Sequence, residues 1–140
     1  MNVKVYYTSP KGCAAAIAEA IAGQAGCQAE ALMPAYMPEN VRLMFIGCEG
    51  VKADKATLEF LGSLNPNRVR TAALFVCNPK LDAAPLKQMR DVLEDRGITV
   101  LDITAAYPGK GFLSGKRPGP NDLLAAEAFA RDCLGALSQA

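Results

Sequence analysis

The sequence contains no histidine. That removes the commonest proton shuttle near neutral pH, and with it a Ser/His/Asp triad, a Cys/His pair and the ordinary zinc hydrolase site. CxxC spacing is absent too. The five cysteines, Cys13, Cys27, Cys48, Cys77 and Cys133, form an odd set that suggests neither a disulfide framework nor a zinc knuckle, so reduced thiols are expected. Net charge is nearly missing, with 15 basic against 14 acidic side chains, so no overall field draws the chain to nucleic acid or to an acidic membrane. The opening MNVKVYYTSP has neither the basic-then-apolar pattern of a signal peptide nor a run that could span a bilayer, and a cytoplasmic location is expected.

What is present is apolar mass. Of 140 residues 51% are apolar and 21% charged, which suits one compact domain over residues 1–140. Residues 2–8, NVKVYYT, have the β-branched and aromatic content of a strand; Ala14, Ile17, Ala18, Ile21 and Ala25 then recur at helical spacing until Gly26. A weak strand follows in QAEALM, Pro34 and Pro38 mark a loop, and VRLMFIGC is a run of the kind buried on both faces of a parallel sheet. Asp54 caps a helix with Leu58, Leu61 and Leu64 on one side.

The alternation repeats twice more. RTAALFVC is a buried strand, Asp82 starts a helix with Leu86, Met89 and Leu93 inward, and that helix stops at Gly97. ITVLDIT is the next strand. A Gly/Pro/Lys-rich loop of roughly sixteen residues then runs from Ala105 to Pro120, a length that points to a task. Asn121 caps a last helix with Leu123, Ala126, Ala130, Leu134 and Leu137 inward. Five strands alternating with four helices imply an α/β fold: a doubly wound parallel sheet between two helical layers. Ligands of such sheets sit outside the carboxyl ends of the strands. The loops TSPKGC, GCEGVKAD, CNPKLD and the segment from Ala105 to Pro120 are therefore the place to look.

The chain resembles the flavodoxin-like family over essentially its whole length, most specifically in the ending GKGFLSGKRPGPNDLLAAEAFA and in a first-strand loop that opens the first helix. The resemblance implies strand order 2-1-3-4-5, bound flavin mononucleotide (FMN), and electron transfer to a redox partner protein. It assigns Thr8, Ser9, Lys11, Gly12 and Cys13 to the phosphate, where free amides and the helix dipole favour an anion. Glu49, Gly50, Cys77 and Asn78 would line the flavin ring. Compared with the family pattern [ST]-x-T-G-x-T, the loop keeps Thr8 but has Pro10, Lys11 and Cys13 for the second threonine, the glycine and the last threonine. The loops GCEGVKAD and CNPKLD hold no aromatic side chain, which leaves Tyr107 and Phe112 as the candidates to stack on a ring.

A second reading stays open beside the carrier: a flavodoxin-fold binding or regulatory module that has lost flavin and senses redox state through Cys13. A substrate-reducing flavoenzyme is disfavoured because no acid or base is evident. If the fold is right, Cys13, Cys48 and Cys77 end adjacent strands about 5 Å apart. Cys13, at a helix start beside Lys11, is expected to be the most reactive. Glu49 and Asp102 are candidates to orient a ligand or hold a proton, and Asn78 either bonds a flavin edge or sets the turn before Pro79. Lys110, Lys116 and Arg117 form either a docking surface for an acidic partner or the wet face of a loop.

Overall fold

The computed structural model describes residues 2–8, 12–33, 36–78, 80–108 and 119–138. In chain order they form β1 (Val3–Tyr7), α1 (Cys13–Ala25), β2 (Ala29–Ala31), β3 (Val41–Glu49), α2 (Lys55–Gly62), β4 (Val69–Cys77), α3 (Ala84–Asp95), β5 (Thr99–Val100), β6 (Ala105–Tyr107) and α4 (Pro120–Ser138). Every strand pairing is parallel, in the order β2-β1-β3-β4-β5, with β6 also on β4. This is the α/β layering that the alternation implied and the strand order that the resemblance implied, with two differences in detail.

The fifth strand comes in two pieces. Ala72 pairs with Val100 and Phe75 with Ala105, so Ala73 and Leu74 of β4 lie opposite four residues, Leu101 to Thr104. The surplus breaks the ladder as a wide bulge does, and it carries the exposed Asp102 outward to Arg90, 3.6 Å away. ITVLDIT is thus not one strand. Its continuation reaches Tyr107, so the expected loop gives up its first three residues to β6. Asn121 is a second correction: α4 starts at Pro120, a residue suited to a first helical turn, and Asn121 lies exposed inside the helix.

The strands bury both faces because their side chains alternate. Val3, Val5, Leu43, Phe45, Ala73, Phe75, Cys77 and Tyr107 pack with α1 and α4. Tyr6, Met44, Ile46, Cys48, Ala72, Leu74 and Val76 pack with α2 and α3. The helical stripes hold as expected at Ala14, Ile17, Ala18 and Ile21 and at Leu86, Met89 and Leu93. In α4 the buried set is Ala126, Phe129, Ala130, Cys133 and Leu137, with Leu123 and Leu134 only half-buried. Gly26 closes α1 in the left-handed region at φ 75°, where its N–H reaches the Ala22 carbonyl.

Candidate functional site

Because all strands run one way, the loops after β1, β3 and β4 and the chain after β6 leave from one edge of the sheet. Of the expected site residues, Ser9 and Lys11 lie outside the described residues, as do Pro10, Lys110, Phe112, Lys116 and Arg117. Thr8 sits half-buried in the bend after β1. The others, Gly12, Cys13, Glu49, Gly50, Cys77 and Asn78, gather at the edge.

The start of α1 has no cap of its own. Gly12 stands at the N-cap with no side chain, and the first turn holds no acidic residue. The missing anion comes from the end of β3: Glu49 Oε1 accepts the Ala14 N–H at 2.6 Å. A Cβ on residue 12 would overlap the Glu49 carboxylate, so glycine is what lets the carboxylate in. The geometry follows from strand parity, since Phe45, Gly47 and Glu49 all point to the α1 side of β3. A carboxylate at a helix N-terminus contributes about 0.3–1 kcal/mol, up to about 2 when partly buried. The seat where the resemblance puts a phosphate is thus held by the chain's own anion.

Beneath it lie thiols. Cys13, the first residue of α1, is 3% exposed, and its Sγ donates to the Pro108 carbonyl at 3.2 Å. Its sulfur is thereby left to accept the Cys77 S–H. That hydrogen bond favours the protonated form and is the largest cause holding the Cys77 thiol well above its ordinary value; burial and the nearby Cys13, Glu49 and Cys48 add to it. Cys13, Cys48, Cys77 and Cys133 are buried and Cys27 is half-buried. The expected trio is corrected. Cys48 points to the opposite face, where burial and then Asp54 and Glu49 raise it to about 12. Cys133, from α4, joins Cys13 and Cys77 instead.

Tyr107 is no stacking platform. It is 4% exposed on β6, in register with Cys77 and edge-on to Phe75 with ring centres 6.5 Å apart. Its hydroxyl has no hydrogen-bond partner among the described residues. Burial, then Cys77, Cys133, Asp122 and Cys13, raise its pKa, so the phenol stays protonated among those sulfurs. Asn78 is buried and its amide is already committed: Nδ2 donates to the carbonyls of Gly50 (3.2 Å) and Asp82 (3.0 Å), and Oδ1 accepts the Asp82 N–H at 2.8 Å. It clamps the loops after β3 and β4 together. Gly50, at φ 95°, needs glycine's freedom to make that turn, and its N–H reaches the Cys77 carbonyl at 2.9 Å. A groove of about 710 Å³ between Asn40, Arg42, Asn67, Arg70 and Thr71 lies at the other end of the strands, away from all of these.

A parallel five-strand order with helices on both faces and loops converging on one edge defines a flavodoxin-like fold. The crystal structure of the flavodoxin-like domain from a Synechococcus sp. protein superposes with a TM-score of 0.59, covering 99% of this chain and 100% of that one at 13% identity. At that identity the likeness is one of fold. No family model and no curated protein matches the chain. Among the described residues no helix is long and apolar enough to cross a membrane.

Proposed function

We propose that this protein is a flavodoxin-shaped binding or regulatory module that works without flavin, with Cys13 as its redox-responsive group. The observation that carries this reading is the Glu49 carboxylate on the Ala14 amide, seated against Gly12. Two unit charges 4 Å apart repel by about 4 kcal/mol at an effective dielectric of 20, so a phosphate could enter only after Glu49 left. The residues present therefore do not fit FMN. Its ring fares no better, because the loops after β3 and β4 carry no aromatic, Tyr107 is buried and Asn78 is already bonded.

The competing reading is an FMN electron carrier serving a redox partner protein, and it is favoured by the convergence of four connections on one edge. In it Thr8, Ser9, Lys11, Gly12 and Cys13 surround the phosphate, while Glu49, Gly50, Cys77 and Asn78 face the ring. The two readings separate in one titration. Purified protein and its Glu49→Gln variant are mixed with FMN, and flavin fluorescence is followed. The module reading expects a colourless wild type that does not quench micromolar FMN, with any quenching confined to Glu49→Gln, where the excluding charge is gone. A yellow wild type, or quenching by the wild type at micromolar FMN, would establish the carrier instead.

A further inference from the structure

We infer that Cys13 and Cys77 are a dithiol pair that closes to a reversible disulfide when a peroxide reaches the edge, with Cys48 outside the chemistry. Four observations converge on this pair. Cys13 begins α1 and Cys77 ends β4, so the two belong to different elements that meet in one core. Cys13 Sγ lies 3.2 Å from the Pro108 carbonyl, one residue past Tyr107, and Tyr107 is in register with Cys77, so the two thiols sit at neighbouring points on one face of the sheet, where the Cys77 S–H meets Cys13. The Cys13 proton already points at the Pro108 carbonyl. The Tyr107 hydroxyl, buried and without a partner among the described residues, lies with the same sulfurs.

These positions assign the roles. Cys13, which opens α1 and points its S–H at the Pro108 carbonyl, is the attacking sulfur. Its sulfur attacks one peroxide oxygen, the O–O bond breaks, the departing hydroxide takes up the Cys13 proton as the first water, and Cys13 becomes a sulfenic acid. The Tyr107 O–H is a donor for the departing oxygen. The Cys77 sulfur then attacks the Cys13 sulfur, the S–O bond breaks, and a second water forms with the Cys77 proton. The two thiols together lose two hydrogens and two electrons, and hydrogen peroxide becomes two waters. Cys48 cannot compete, because it projects through the other face of the sheet. The product ties the start of α1 to the residue whose carbonyl holds Gly50, directly beside the seat of Glu49.

The inference deepens the flavin-free reading by naming the partner of Cys13, yet its test does not depend on FMN: the link forms or fails to form whatever the flavin titration returns. Native wild-type protein is treated with hydrogen peroxide, free thiols are trapped with an alkylating reagent under denaturing conditions, and an unreduced digest is mapped by mass spectrometry. The expected result is a Cys13–Cys77 linked peptide, two hydrogens lighter than its parts, released by dithiothreitol, with Cys48 recovered alkylated. Linkage of Cys77 to Cys48 or Cys133, Cys13 recovered as sulfinic acid without a link, or five alkylated cysteines at doses that oxidise free cysteine would each overturn it. In Cys77→Ala, Cys13 is expected to stop at the sulfenic acid and to be captured by dimedone, whereas Cys48→Ala leaves the link unchanged.

Discussion

Against α2 and α3 the sheet presents Met44, Ile46, Cys48, Ala72, Leu74 and Val76; against α1 and α4 the same two strands present Phe45, Phe75, Cys77 and, at the rim, Glu49. The first face is an apolar core, mostly aliphatic, with the Tyr6–Phe60 ring pair and the Cys48 thiol set into it. The second brings two thiols from the strands and α1, a third from α4, and a phenol with no partner among the described residues. Both come from neighbouring parallel strands, in which Cys48 is registered with Val76 and Glu49 with Cys77. A single step along β3 therefore decides whether a thiol meets Cys13 or is shut away behind the sheet. Adjacency in the ladder is not adjacency in chemistry.

Truncating each face tests that contrast most strongly. Phe75→Ala removes the ring that touches Tyr107 and Phe129 and is expected to cost about 3–5 kcal/mol in urea unfolding; Leu74→Ala, one residue away on the aliphatic side, is expected to cost about 2–5. The discriminating readout is alkylation of Cys13 in the folded protein. It should rise many-fold in Phe75→Ala and stay near wild type in Leu74→Ala. Equal rates in the two variants would erase the distinction between the faces.

Alkaline pH acts on both. Burial raises Cys48 and Cys133 from 9.0 to about 12 in the folded chain, and Cys77 also moves upward. A folded pKa above the unfolded one means stability that is complete below pH about 9 and lost as pH rises toward the folded value. Each such thiol is expected to forfeit on the order of 2 kcal/mol by pH about 10.5. Melting temperature measured from neutral pH upward should therefore fall, and Cys48→Ala should flatten the fall by one thiol's share. A melting temperature indifferent to pH across that window would mean the thiols are wetter than their burial implies.

The smallest effect is the most specific to one face. Tyr107→Phe removes a buried hydroxyl that bonds to nothing described, and is expected to stabilise the fold by about 1 kcal/mol. A loss of stability instead would show that the hydroxyl does have a partner in the folded protein.

Most of the architecture was legible because each period was clean. Apolar runs such as VRLMFIGC and stripes such as Leu86, Met89 and Leu93 leave one parallel reading. The site was legible only to the level of its loops. That Glu49 would turn toward α1 was available from parity, counting by twos from Phe45, but nothing local says that Gly12 leaves room for it. Cys133 shares a stripe with Ala126, Ala130 and Leu137, and nothing in that stripe separates a cysteine from a small apolar filler. Tyr107 looks like loop because the polar step at Asp102 to Thr104 resembles the end of a strand, while pairing with β4 resumes beyond it.

Asn78 has the widest mechanical reach. By holding the Gly50 carbonyl and the backbone of Asp82 with one side chain, it welds the second and third connections into a common slab. Whatever approaches the rim meets those two connections already tied together, so accommodation on that side falls to the Glu49 side chain.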